Sequence, residues 1–107
     1  MENITQYLKK IDSRNSLLSD DLKKLQQKLQ IVLNQNITEA GVINPGYFSY
    51  FLPVLEECRL NKIISRYQIG EEQYTDSFTG KVLKIAVVDV IQEDSSSSSR
   101  IFIPYYK

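Results

Sequence analysis

The sequence predicts an α+β fold, and three observations carry that prediction. From Ile4 to Val32 a stripe that is apolar at every position but Asn15 recurs in unbroken steps of four and three, with no Gly or Pro before Gly41. Residues 36–46, NITEAGVINPG, then hold Gly41, Pro45 and Gly46, the punctuation of a connection. Val82–Ile91 is nearly continuously apolar, interrupted only by Lys84 and Asp89, as in a central strand covered on both faces by helices or a partner. Helices first and strands afterwards give segregated layers rather than a wound α/β sheet. The expected architecture is a long N-terminal amphipathic heptad helix (or helical hairpin), a short middle helix, and a three- to four-stranded antiparallel meander. Residues 1–36 form the heptad arm and 37–107 a small body.

The heptad stripe is Ile4, Leu8, Ile11, Asn15, Leu18, Leu22, Leu25, Leu29 and Val32. A 3.5-residue repeat keeps one seam facing a partner helix, and a lone Asn in such a seam fixes register at some cost in stability. These residues are therefore the candidate surface for self-association, most simply as a homodimeric coiled coil. Asp12-Ser13-Arg14-Asn15-Ser16 interrupts the stretch with poor helix formers, which hydrogen-bond their own backbone. A hairpin of helices 3–12 and 19–35 competes with one helix over 3–35, and the unbroken register favours the single helix. Ser19-Asp20-Asp21 reads as an N-cap followed by acid in the first turn. The g-to-e′ pairs of a parallel dimer (Tyr7–Asp12, Arg14–Ser19, Asp21–Gln26, Lys28–Leu33) include no opposite charges, so orientation is not encoded there. Leu17, Ile31 and Leu33 widen the stripe, as in a helix that also packs on its own domain.

In the body, Tyr47-Phe48-Ser49-Tyr50-Phe51-Leu52 precedes Pro53, and a helix over most of 47–59 with a disturbed middle is expected. Tyr47, Tyr50 and Phe51 are the candidate contacts for a protein partner, because aromatic residues are enriched at interfaces. Filling the core beneath the helix is the competing role. Lys62–Ile69 reads as a strand, Gly70-Glu71-Glu72 as a turn, Gln73–Phe78 as a returning strand and Thr79-Gly80 as a second turn. Glu93–Ser99 is a solvated Ser-rich loop, and Arg100–Tyr106 a last strand that Pro104 confines to an edge or to its end. That edge is open to a partner strand.

Composition narrows the function. Thirteen basic and thirteen acidic residues cancel, and no segment is dense in positive charge, so nucleic acid and anionic membrane are disfavoured partners. There is no histidine, which removes the commonest general base and metal ligand. Cys58, the only cysteine, follows Glu56-Glu57, neighbours that raise a thiol pKa. Glu71, Glu72 and Asp76 sit together on an expected turn, without the sheltered cleft that paired-acid chemistry needs. No phosphate loop, zinc spacing or nucleophile elbow occurs. The expected protein is thus not an enzyme and uses no cofactor or metal. It is a cytoplasmic (or nuclear) adaptor or regulatory module that binds itself and another protein. The alternative is a winged-helix-like DNA-binding regulator, with residues 70–80 as the wing. Against it stand Tyr47, Tyr50 and Pro53 where base-reading residues belong, and acids on the wing.

Overall fold

Asn3 starts the first helix: its side chain accepts the Gln6 amide at 2.8 Å while the Gln6 side chain accepts the Asn3 amide, a reciprocal cap. The computed structural model describes residues 3–36 and 48–105. Its elements are α1 (Ile4–Ser16), α2 (Asp20–Gln35), α3 (Phe48–Leu60), β1 (Ile64–Thr75), β2 (Val82–Gln92) and β3 (Ser98–Tyr105). The strands form one antiparallel sheet in the order β1-β2-β3. The class is α+β, and among the described residues the expected three- to four-stranded meander has three strands.

The expected single helix over 3–35 is two helices. The break falls at Leu17–Ser19, just after the weak patch, and Ser19 caps α2 as its sequence predicts. Leu17 is left 86% exposed at the break. The two helices then go to opposite faces of the sheet. Alternate residues of a strand point to opposite sides. Leu83, Ile85, Val87 and Phe102 form one face with Ile4 and Ile11 of α1, joined by partly buried Tyr7 and Leu8. Ala86, Val88, Val90, Ile101, Ile103 and Tyr105 form the other face with Leu22, Leu25, Leu29 and Leu33 of α2 and Phe51, Leu55 and Cys58 of α3. β2 is therefore covered on both sides by the chain's own helices.

This placement puts most of the stripe expected as a self-association surface inside the chain's own core. Ile4, Ile11, Leu22, Leu25 and Leu29 are buried, and Leu8, Leu18 and Val32 are partly buried against the same cores. The telling residue is Leu33, outside the heptad yet 1% exposed, where a strict 3.5 repeat would favour Val32. Positions 22, 25, 29 and 33 follow the 3.6 period of a straight helix lying on a sheet.

Two further expectations are corrected. Gly70-Glu71-Glu72 is not a turn: β1 runs straight through it, and the chain reverses at Asp76–Lys81, where the Asp76 amide donates to the Lys81 carbonyl and Gly80 takes φ +73°. The last strand begins at Ser98, inside the expected loop. α3 runs unbroken with Pro53 inside it, although proline has no amide to donate to the preceding turn. It ends in a Schellman motif, with Ile63 donating to the Cys58 carbonyl and Lys62 to Arg59. Among the described residues no helix is long and apolar enough to cross a membrane.

Candidate functional site

α1 covers only one end of its face of the sheet. At the other end, the register sets Arg66 beside Ile91 beside Ser98, and Gln68 beside Asp89 beside Arg100, in two rungs of one face separated by the Tyr67–Val90–Ser99 rung. Together with Tyr67 these residues line an open groove of about 580 Å³. All of its lining residues lie on the three strands and none on α1.

Charge in the groove is unevenly satisfied. Arg100 donates to Asp89 through Nε (2.9 Å) and Nη2 (3.4 Å), and reaches across the sheet to Glu72 through Nη1 at 3.4 Å. The Asp89 hydrogen bond and its charge hold the Arg100 pKa above its ordinary value. Half of the Arg100 side chain stays exposed, so each pair is worth only about 0.2–1 kcal/mol. Arg66, two rungs away on the same face, forms no ion pair or side-chain hydrogen bond among the described residues. The groove thus presents one neutralised and one uncommitted guanidinium around the apolar Ile91 side chain.

The other polar clusters serve the fold. Asp76, 5% exposed, accepts the amides of Phe78 (2.8 Å) and Thr79 (3.1 Å) in its own turn and the Ile4 amide (3.3 Å) at the start of α1. These backbone donors, Phe78 foremost, hold its carboxyl below the usual range. Glu56 accepts from Arg59 (2.7 Å) and from the Tyr67 hydroxyl (2.8 Å), which lowers its pKa and raises that of Tyr67. Asn15, expected in a helix seam, instead bonds the backbone of Phe102: its amide donates to the carbonyl at 2.8 Å and its carbonyl accepts the amide at 3.1 Å.

The residues expected to carry partner contacts are dispersed. Phe51 is fully buried under α3, the core-filling alternative; Tyr50 is 38% exposed; Tyr47 lies outside the described residues, as do the 37–46 connection and Tyr106. Cys58 is buried between α3 and the core, and desolvation pushes its thiol pKa up, away from thiolate reactivity. Glu72 turns to Arg100 while Asp76 turns into the hairpin, so the two acids do not form a pair. Among the described residues no three His, Cys, Asp or Glu side chains converge as a metal site would need. The expected open edge at Arg100–Tyr106 is occupied: Asn15 bonds Phe102, and Gln30 donates to the Pro104 carbonyl at 2.9 Å.

Sequence reasoning missed Arg66, Gln68, Asp89 and Arg100. Only the alternation of side chains within a paired register brings them to one face. Compared with family models, curated proteins and solved structures, the chain matches none.

Proposed function

We propose that this chain is a non-catalytic protein-binding module, an adaptor or regulatory domain, whose contact surface is the groove at the uncovered end of the sheet. The observation that carries this reading is Arg66. It stands uncommitted beside an apolar residue and a neutralised Arg100, in a depression that α1 leaves open. Arginine over apolar surface is a frequent anchor at protein interfaces, and a free guanidinium fits a carboxylate-bearing segment. The heptad residues do not enter this surface: to pair with a second copy, Ile4, Ile11, Leu22, Leu25 and Leu29 would first have to leave the sheet.

Catalysis has weaker support. The groove is open to water, and the carboxyls whose pKa values move, Glu56 and Asp76, are tied to α3 and the hairpin. The winged-helix reading finds nothing specific in its favour. α3 lies on the sheet through Phe51, Leu55 and Cys58, and its exposed positions include Leu52, Pro53, Glu57 and Leu60.

Binding of an acidic peptide library by wild type, Arg66→Ala and Arg100→Ala chains tests the proposal. Selected peptides should lose about tenfold in affinity on Arg66→Ala, the effect of one lost charge-assisted contact. Equal affinity for both variants, or tight and steeply salt-dependent binding to duplex DNA instead, overturns it.

A further inference from the structure

The two edges of the sheet are treated differently. The β3 edge is closed by Asn15 and Gln30, and Pro104 has no amide to offer there. The β1 edge is twelve residues long, carries no Pro or Lys, and pairs with no other strand among the described residues. Its only irregularity, between Ile64 and Arg66, lies at its start.

The hydrogen-bond phase of that edge follows from Asn15. Both backbone groups of Phe102 point to Asn15, so in the Val87–Phe102 rung they point away from β2. Val87 must then bond its other neighbour, Gly70, and residues of β1 in phase with Gly70 turn inward. Tyr67, Ile69 and Gln73 turn their amides and carbonyls outward, to the open side.

We propose that this open edge pairs antiparallel with β1 of a second copy, in the register centred on Ile69, joining two three-stranded sheets into one of six strands. An isologous pairing that keeps the sheet faces continuous sets residues of equal parity opposite one another. Centring on Ile69 places Arg66, the uncommitted guanidinium, opposite the partner's Glu72, and the two-fold axis repeats that pair. Shifting the centre to Gly70 sets Arg66 against the partner's Tyr74, and shifting to Glu71 sets that acid against its own copy. Directly opposed charges of unlike sign stabilise a strand pair and like charges oppose it, so the Ile69 register is selected. On the helix-covered side, Leu52 (42% exposed) shares the flank of α3 with Glu56 and Arg59, the flank that reaches Tyr67 of β1. Dimerisation would cover this side chain. The dimer also sets the two grooves side by side on one sheet face, and because it engages Arg66 with the partner's Glu72, an acidic segment and the second copy compete for that guanidinium. It goes beyond the binding role above and does not depend on it.

Light scattering across a concentration series up to millimolar is the primary test. Wild type should approach twice the mass of the chain. Gln73→Pro should stay at the single-chain mass with unchanged circular dichroism, because it removes an outward amide from an exposed position and no β1–β2 bond. Arg66→Glu should weaken dimerisation about tenfold, by replacing two attractive cross-strand pairs with two repulsive ones. Under mild oxidation Ile69→Cys should crosslink two chains, since only the residue on the axis meets its own copy. A wild type that stays monomeric, a monomer that instead accepts a foreign strand, a dimer indifferent to both Gln73→Pro and Arg66→Glu, or a dimer without the Ile69→Cys crosslink overturns the proposal. Peptide binding measured on the Gln73→Pro chain reads the groove separately, so either idea can fail alone.

Discussion

Asn15 acts as a missing strand for Phe102. Its carboxamide donates to one backbone group and accepts from the other, 2.8 and 3.1 Å away, across 87 residues of sequence. A side chain on α1 thereby closes the edge of the last strand, and Arg14, next to it in the helix, sits 5.5 Å from the centre of the Phe102 ring.

That pair predicts the outcome of Asn15→Val. A heptad seam would be strengthened by removing its polar residue. Here the substitution leaves a partly buried amide and carbonyl unpaired, which destabilises the fold by about 2 kcal/mol. Urea unfolding followed by circular dichroism checks the sign: a stabilised variant would mean that Asn15 faces a second helix after all.

Leu29→Ala separates core from interface. Leu29 is fully buried between α2 and the sheet. Truncation should lower unfolding free energy by about 2–5 kcal/mol. The same loss should appear in the monomeric Gln73→Pro background. A loss that vanishes in that background would return the stripe to an intermolecular role.

Asp76 makes acid stability a local matter. Its carboxyl is held below its ordinary range by the Phe78 and Thr79 amides, with Ile4 adding a third. A depressed folded-state pKa contributes stability that is full above the unfolded value, about pH 4, and is lost as pH falls through the folded value. Asp76→Ala should therefore be less stable than wild type at neutral pH, and the gap should narrow steadily below about pH 4. Unfolding curves at several pH values measure this, and a gap constant with pH would remove Asp76 from the acid response.

Lys62 sits at the C′ position of the Schellman motif with φ +60°, the left-handed region where a Cβ is strained. Lys62→Gly should stabilise the chain by about 0.5–1 kcal/mol, the relieved strain exceeding the added freedom of the unfolded chain. A melting temperature several degrees higher would show it. An unchanged or lower one would mean that the Lys62 aliphatic stem contributes packing that Gly forfeits.

The parts of the fold legible in the sequence are those governed by local chemistry. Ser19 followed by two acids gave the start of α2, Gly80 marked the hairpin, and the apolar run at Val82–Ile91 identified the central strand. What failed depended on distant partners. Gly70 reads as a turn residue, yet its backbone needs no positive φ, and a strand accepts it. Asn15 needs two hydrogen bonds, and no spacing rule distinguishes a facing helix from a strand edge 87 residues away. The stripe from Ile4 to Val32 is truly amphipathic, but three residues between helices let it serve two opposite faces of one sheet. Arg66, Gln68, Asp89 and Arg100 lie on three strands and acquire a common address only through the ladder.

The wrap of α1 and α2 around β3 also dictates an order of events during synthesis. Both helices leave the ribosome well before the strand they clasp, with Gln30 bonding Pro104 across 74 positions. Until then their greasy sides stay wet, which slows collapse and exposes the nascent chain to aggregation. Loss of β3 would strip α1 and α2 of the backbone groups that Asn15 and Gln30 hold, although not one residue of either helix had changed.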